Sequence, residues 1–268
     1  MKEIWHLLLY QPILNGVIVL YQLLFANMGL AIIALTFIVR LLLVPLMNPQ
    51  MESAQKMQEL APELKKLKEK FSGDKQKFAQ AQLQLYKEHG VNPASGCLPQ
   101  ILQFAVLIAL YQAFNQVIRP DGAAVIEKIN GSLYAFAKLP ADAVLNLRFL
   151  YLDLAKPDLI KIPGFIALPG IFVILATIFQ FLSSKMMMPA VKKEEKLAAK
   201  TEEKTDDMAT SMQKQMLYMF PAMTLIFGYT MPSGVMLYWF IFSLFSFVQQ
   251  YLINRKKGTV LAHDKRTA

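Results

Sequence analysis

The chain has 268 residues, of which 55 % are hydrophobic, and its mean hydropathy is +0.36. Soluble domains contain about 45–50 % apolar residues. Here the excess lies in separate apolar blocks, so the composition excludes a soluble globular domain and indicates a polytopic membrane protein. A net charge of +9 would indicate nucleic acid as the partner of a soluble protein. In a membrane protein, topology is the first explanation for such a positive net charge, because Lys and Arg collect in cytoplasmic loops.

The first segment, residues 1–28, is apolar enough to cross a membrane but carries polar residues on one side. Gln11, Asn15 and Gln22 fall on one helical face, and the Trp and Tyr residues of the segment suit a membrane–water interface. We predict an amphipathic helix that lies in the interface of the outer leaflet. The alternative is an additional span, and either choice leaves the orientation of the later segments unchanged.

Five later apolar blocks are predicted to cross the bilayer as helices. Their bounds are 29–47, 97–118, 163–183, 216–231 and 234–253. Most of the 28 lysines and arginines lie in the regions 48–96, 184–215 and 254–268. The positive-inside rule therefore places these regions and the C-terminus in the cytoplasm and the loop 119–162 outside. The predicted fold class is an all-α polytopic membrane protein.

The cytoplasmic region 48–96 has the pattern of a helical hairpin. A 3-4-3-4 spacing of apolar residues predicts one seam, at Met57, Leu60, Leu64, Leu67 and Phe71. The sequence FSGD then breaks the helix and a second helical stretch returns, which predicts an antiparallel pair projecting from the membrane. Its charged face is either simply solvated or a docking surface for a partner. The candidate docking residues, here and in the tail, are Lys65, Lys66, Lys68, Arg255, Lys256 and Lys257.

Arg40 lies in the middle of the first predicted span, where an arginine costs about 2.5–3.5 kcal/mol on insertion scales. One explanation is that its side chain reaches back to the inner surface. The other is that it faces a hydrated cavity between helices, lined by neutral residues of the spans. The candidates for that lining are Thr36, Gln103, Thr177, Gln180, Ser184, Trp239, Ser243, Ser246 and Gln250.

Small polar side chains also hold membrane helices together, so these residues alone do not define a cavity. None of the five predicted spans contains Asp or Glu, however, which leaves Arg40 without an ion-pair partner of its own. We therefore predict a wet, positively charged groove that attracts the carboxylates of a visiting polypeptide.

Motifs for catalysis are absent from the sequence. There is no phosphate-binding GxxxxGK[ST] loop, no HExxH and no GxSxG, and the single cysteine and three histidines offer no metal-ligand spacing. A proton-coupled pump would usually carry carboxylates or histidines inside the membrane. We predict a protein without enzymatic activity, catalytic residues, metal or cofactor.

Six stretches, in this order and collinear over nearly all of residues 29–253, carry a family resemblance. They are GLAIIALTFIVRLLLVPL, MQELAPELKKLKEKF, LYKEHGVNPASGCLPQILQFAVLIALYQAF, FLYLDLAKPDLI, TIFQFLSSKMM and MPSGVMLYWFIFSLFSFVQQYLI. The chain resembles the YidC-type membrane protein insertases, which include the mitochondrial Oxa and chloroplast Albino proteins. The large extracytoplasmic domain of many Gram-negative members has no counterpart in the chain, and the tail is short.

The resemblance implies five spans in the plasma (inner) membrane around a groove that is open to the cytoplasm and the lipid and closed on the outer side. It places Arg40, Gln180 and Trp239 in that groove and makes 48–96 a mobile hairpin needed for activity. It implies nascent membrane proteins as substrates and the bilayer as surroundings. It further implies the ribosome, the signal recognition particle receptor and the Sec translocon as candidate partners, with ribosomal RNA as the only candidate nucleic acid.

We accordingly predict an energy-independent insertase and chaperone that works alone or with the Sec translocon. One alternative is a small-solute channel or transporter, which would need a continuous pore or internal repeats. The sequence shows no repeat between its halves. Another alternative is a scaffold whose hairpin recruits soluble partners, and such a protein would tolerate changes at Arg40.

Overall fold

The computed structural model describes residues 2–71, 73–91, 98–117, 122–164, 166–187 and 207–267, and α-helix dominates this part of the chain. The helices are α1 (Lys2–Trp5), α2 (Gln11–Leu23), α3 (Met28–Glu59), α4 (Ala61–Lys70), α5 (Lys75–Glu88), α6 (Leu98–Val117), α7 (Gly122–Asn130), α8 (Ile171–Met187), α9 (Asp207–Gly228) and α10 (Ser233–Thr267). A π-helical turn (His6–Tyr10) joins α1 to α2, and a 3-10 helix covers Ala135–Ala137. The predicted all-α class is confirmed.

Strand structure in the described residues is confined to two short antiparallel hairpins between α7 and α8. Strand β1 (Arg148–Phe149) pairs with β2 (Leu152–Asp153), and β3 (Leu159–Ile160) pairs with β4 (Leu168–Pro169). Both hairpins belong to the loop that precedes α8, so they add a small folded cap to a helical molecule.

Three described segments are long and apolar enough to cross a membrane, by length and composition. They are Glu3–Leu23, Met28–Pro49 and Ser233–Arg255. Shorter apolar segments lie in α6, α8 and α9. The membrane character of the fold is thus confirmed, whereas the number of crossings stays a prediction.

Contacts between side chains show that α3, α8 and α10 run in the same direction. In both helix pairs, a later residue of one helix contacts a later residue of α10. The contacts between α3 and α10 are Phe37–Phe245 and Asn48–Gln249, and those between α8 and α10 are Phe172–Phe240 and Phe179–Phe247. Helix α9 runs antiparallel to α8, because Gly228 at its end lies beside Val173 near the start of α8. We call the side of the N-termini of α3, α8 and α10 the loop end, and the side where α3 leads into α4 the hairpin end.

The third predicted span and the helix differ at their starts. The predicted span begins at residue 163, whereas α8 begins at Ile171. Residues 163–170 contain two prolines and two glycines, which disfavour a helix interior, and Leu168–Pro169 pairs with Leu159–Ile160 instead. Apolar content alone therefore sets the start of this helix too early.

Three helices extend beyond their predicted spans on the hairpin side, whereas α6 (Leu98–Val117) stays within the predicted 97–118. Helix α3 continues to Glu59, with Pro45 and Pro49 inside it, and so forms the start of the predicted hairpin region. Helix α9 begins at Asp207, before the predicted residue 216, and α10 continues to Thr267 through the predicted tail.

The N-terminal segment meets the loop end through its polar face. Asn15 is buried, donates to the backbone oxygen of Ser132 (3.1 Å) and accepts from the backbone N–H of Tyr134 (2.7 Å). Two turns farther along, Gln22 donates to the backbone oxygen of Ala137 (3.4 Å). The polar face that the sequence indicated is therefore a contact face with the loop.

At the hairpin end, α4 and α5 pack against each other around a small core. Its buried residues are Leu60, Leu85 and Val91, and Met57, Leu64, Leu67 and Tyr86 pack around them. Pro62 lies in the first turn of α4, where no N–H is needed. Asp74 begins α5 by accepting from the backbone N–H of Lys77 (3.0 Å). Four predicted seam residues thus lie where the two arms meet.

Candidate functional site

Helix α3 carries Arg40 to about 18 Å from its first residue, at 1.5 Å per residue. The side chain is 3 % exposed and lies between α3 and α10. Its Nη2 donates to the hydroxyl of Ser246, which in turn donates to the backbone oxygen of Phe242 (2.9 Å). Its Nη1 lies 3.2 Å from Sδ of Met47, a weak acceptor. The structure therefore brings together two predicted site residues, Arg40 and Ser246.

Two aromatic rings of α10 cover the guanidinium. The Cζ atom of Arg40 lies 4.1 Å from the ring centroid of Phe242 and 5.0 Å from that of Phe245. A desolvated cation–π contact is worth about 2 kcal/mol, so the rings offset part of the cost of the buried charge. We call Arg40, Met47, Phe242, Phe245 and Ser246 the Arg40 site. Sequence reasoning missed the two phenylalanines, although Phe242 lies one helical turn from Ser246 and so shares its face.

Not every hydrogen-bond donor of Arg40 has an acceptor among the described residues. Among the described residues no carboxylate contacts Arg40, and its buried Nε has no hydrogen-bond acceptor there. A guanidinium has five N–H donors and binds a carboxylate best through two parallel hydrogen bonds. Among the described residues, Arg40 therefore has an unpaired Nε donor beside the Nη2 that binds Ser246.

The other predicted site residues on α3 and α10 are buried or half-buried near the Arg40 site. Thr36 is buried and donates to the backbone of its own helix (2.6 Å). Ser243 and Gln250 are buried, and Trp239 is half-buried. The Oε1 atom of Gln250 is buried without a hydrogen-bond donor among the described residues. These side chains extend the polar character of the helix pair on both sides of the Arg40 site.

Helix α8 builds a second polar contact, with α9 rather than with Arg40. Gln180 accepts a hydrogen bond from the Thr224 hydroxyl at 2.5 Å. Thr177 donates to the backbone of its own helix (2.8 Å), and Ser184 is half-buried. Sequence reasoning missed Thr224, whose only signal is a lone polar residue in the apolar part of α9.

Several predicted residues have side chains outside the described set, namely Gln103, Lys65, Lys68, Lys256 and Lys257. Lys66 and Arg255 are exposed to solvent. Within the described ranges, no group of three or more His, Cys, Asp or Glu side chains is placed to hold a metal ion. Among the described side chains that are buried between the helices, Arg40 is therefore the one cation, and the other polar groups are neutral.

The sequence matches a family model described as 60Kd inner membrane protein over residues 19–259, a range that includes the whole Arg40 site. The chain belongs to this family. It is 34 % identical over 230 residues to the membrane protein insertase YidC of Fusobacterium nucleatum, which is 86 % of this chain and 87 % of that protein. The resemblance that the sequence indicated is thereby confirmed.

Two further relatives show how the length of family members varies. The chain is 34 % identical over 232 residues to membrane protein insertase YidC 1 of Halalkalibacterium halodurans, which is 85 % of this chain and 70 % of that protein. It is 30 % identical over 263 residues to membrane protein insertase YidC of Leptospira interrogans, which is 92 % of this chain but 35 % of that protein. The chain thus corresponds to a part of the longest of these three proteins.

Proposed function

We propose that this protein is a membrane protein insertase and chaperone, which helps integral membrane proteins to enter and fold in the bilayer. Family membership and the insertase names of the relatives support the proposal. The observation that carries it is a buried cation, Arg40, that meets neutral groups and aromatic rings and no carboxylate among the described residues. Nascent membrane proteins are the substrates and lipid is the medium.

The proposed role of Arg40 is electrostatic attraction. A short acidic segment of the substrate enters between α3 and α10, and its carboxylate takes the Nε and Nη2 donors of Arg40 in place of Ser246. Charge attraction at this depth exceeds that in bulk water because the effective dielectric constant is lower. The protein thus lowers the barrier for a polar segment, and it makes and breaks no covalent bond.

Apolar parts of the substrate supply the driving force in this proposal. Their transfer from water to lipid gains roughly 25 cal/mol for each Å² of apolar surface removed from water. Large apolar side chains of α3 and α8 are exposed in the isolated chain and suit contact with lipid, among them Leu41, Leu42, Ile174 and Ile178. The substrate leaves sideways along such surfaces, while its polar segment crosses through the polar positions at Arg40, Gln180 and Trp239.

We place the hairpin end and the C-terminal tail in the cytoplasm and the loop end outside, in the plasma (inner) membrane. The distribution of Lys and Arg supports this orientation. Segment 1–28 then lies in the outer interface, because Asn15 and Gln22, two turns apart, both bind the outer loop. The hairpin and the tail, with Lys66 and Arg255 exposed, are the proposed docking surfaces for the ribosome, the signal recognition particle receptor or the Sec translocon.

The proposal is tested with the purified protein in liposomes and a single-span substrate whose translocated segment is acidic. Replacing Arg40 by Ala should lower insertion at least about tenfold, because a hydrogen bond to a charged group is worth about 1.5–3 kcal/mol. Arg40→Lys should retain most of the insertion. A substrate with Asn and Gln in place of its acidic residues should respond less to both changes, and Arg148→Ala, which removes an exposed arginine, should insert like wild type.

Equal insertion of the acidic substrate by Arg40→Ala and wild type would refute the electrostatic role. Ion conductance of the liposomes without any substrate protein, reduced by the same variant, would instead support a small-solute channel.

A further inference from the structure

The loop that precedes α8 binds the N-termini of three helices at once. The backbone oxygen of Asn146 accepts from the N–H of Met28, which begins α3 (3.4 Å). The backbone oxygens of Lys156 and Leu154 accept from Ser233 and from the next residue of α10 (2.7 and 3.1 Å). The first N–H groups of a helix have no partner within the helix. Residues 146–156 therefore satisfy donors at the loop ends of both helices that form the Arg40 site.

The start of α8 is held by side chains of the same loop. Asp158 accepts from the backbone N–H of Phe172 (3.0 Å) and, through its backbone oxygen, from that of Gly170 (2.8 Å). The Tyr151 hydroxyl donates to the Asp158 carboxylate (3.0 Å) and accepts from the N–H of Ile171 (3.2 Å). Three successive N–H groups at the start of α8 thus bind one carboxylate–phenol pair and its backbone.

Asp158 is 2 % exposed, and no Lys or Arg contacts it among the described residues. Its charge is balanced by N–H donors and by the positive end of the α8 dipole. Burial, and then the charge of Asp158, raises the pKa of Tyr151 to about 12, so the hydroxyl remains a donor throughout the physiological range. The ring of Tyr151 also stacks on Phe172, with 5.9 Å between centroids.

The close approach of α8 to this carboxylate requires a glycine. A Cβ atom at position 170 would lie 1.7 Å from Oδ1 of Asp158. The space is therefore filled by the carboxylate itself, and a side chain at residue 170 would displace it. Gly170 and Asp158 consequently form one fitted contact between loop and helix.

We propose that Asp158 is a positioning residue, which with Tyr151 fastens α8 to the loop that also holds α3 and α10. It thereby fixes the spacing of the helices that carry Arg40, Gln180 and Ser246 and keeps the loop end closed. Asp158 binds no substrate in this scheme and acts through the helix starts. This role of Asp158 concerns the architecture of the helices and does not depend on the insertase function.

The test measures accessibility at the two ends of α8 in the full chain, held in lipid nanodiscs. A single reporter cysteine replaces either Ala176, fully buried near the loop end, or Ser183, buried toward the hairpin end, in a Cys97→Ser background. A water-soluble maleimide then labels whichever cysteine becomes exposed. Asp158→Ala should speed labelling at residue 176 at least about tenfold, the effect of losing one hydrogen bond to a charged group, and leave residue 183 unchanged.

Further variants separate positioning from a general loss of structure. Asp158→Asn keeps one acceptor oxygen and should restore most of the protection. Gly170→Ala keeps the carboxylate but displaces it, and Tyr151→Phe keeps the ring but removes the hydroxyl, so both should speed labelling at residue 176. Gly131→Ala is the matched control, because its nearest atom would be an ordinary 3.4 Å away. Protection of residue 176 in Asp158→Ala and Gly170→Ala, or equal exposure of residues 176 and 183, would overturn the proposal.

Discussion

The loop end and the hairpin end of the molecule differ in how they are joined to the helices between them. At the loop end, Leu152 and Leu154 belong to the same buried core as residues of α2, α3, α6, α8 and α10. At the hairpin end, Leu60, Leu85 and Val91 form a separate small core between α4 and α5. One end is thus part of the main body, and the other is a small unit to which α3 leads.

This difference indicates which end holds the helices in place and which end can move. Local opening requires little free energy where few apolar contacts and hydrogen bonds are lost. A change at the loop end should therefore affect the whole molecule, whereas a change in the hairpin should remain in the hairpin. The proposed groove needs this arrangement, since a substrate must enter from the hairpin end without separating the helices at the loop end.

The largest effect is expected for Leu154→Ala. Leu154 is fully buried in the main core, and its backbone binds both Leu147 and the start of α10. A buried Leu→Ala change costs about 2–5 kcal/mol, so the thermal midpoint of the entire protein in micelles should fall. Val144→Ala changes an exposed residue of the same loop and should leave the midpoint in place. A normal midpoint for Leu154→Ala would show that the loop is not part of the main body.

Gly29→Ala should have the next largest effect. A Cβ atom there would lie 2.2 Å from the ring of Phe149 in β1, so the start of α3 and the loop would have to separate. Overpacking of this kind costs about 1–3 kcal/mol. The loss should appear in the same thermal transition, and faster hydrogen exchange confined to residue 29 and its neighbours would speak against a shared structural unit.

Much of this contrast could be predicted from the sequence where a short-range pattern decides the structure. The 3-4-3-4 seam is such a pattern, and Met57, Leu60, Leu64 and Leu67 lie at the contact of α4 and α5. Helical spacing likewise predicts the polar face of the first segment, which includes Asn15 and Gln22. Arg40 stood out because an arginine within an apolar block has few physical explanations.

The rest depends on contacts between distant segments, which no short pattern specifies. Nothing in the spacing of α9 shows that Thr224 binds Gln180, or that Phe242 covers Arg40. The block from residue 163 is apolar, and only pairing with Leu159–Ile160 makes its first part a hairpin. The sequence gives no sign that the Asp158 carboxylate binds the backbone N–H of Phe172 at the start of α8.

Leu60→Ala should change the thermal midpoint of the whole protein less than the two loop-end variants, because its effect is strictly local. Leu60 belongs to the three-residue hairpin core, where fewer neighbours surround the cavity. The expected loss lies at the low end of about 2–5 kcal/mol and concerns only the hairpin. Hydrogen exchange should accelerate in α4 and α5 while α8 and α10 keep their protection. Faster exchange in α8 as well would contradict the prediction that the hairpin opens independently of the main body.

Loss of the Asp153–Lys156 ion pair on acidification should have the smallest effect, and it acts at the loop end. The hydrogen bond from Lys156 (2.5 Å) lowers the pKa of Asp153. A lowered pKa means that the carboxylate stabilises the fold above its unfolded value of about 3.9 and that this stability is lost as the pH falls through the folded value. The pair is exposed, so the loss is at most about 1 kcal/mol. Lys156→Gln should flatten the pH dependence of the thermal midpoint below pH of about 4. An unchanged slope would exclude this pair as its cause.

Site-specific photo-crosslinking to a stalled nascent membrane protein tests the central claim most directly, namely that substrate passes the Arg40 site. The probe replaces Phe245, whose ring faces Arg40, or Leu42, which lies on the same helix as Arg40 and is 73 % exposed toward the proposed lipid side. We predict strong crosslinks from position 245 to the acidic segment of the substrate, weakened by Arg40→Ala, and weaker crosslinks to that segment from position 42. Crosslinks from position 42 alone, or an unchanged signal at 245 in Arg40→Ala, would contradict a passage guided by Arg40.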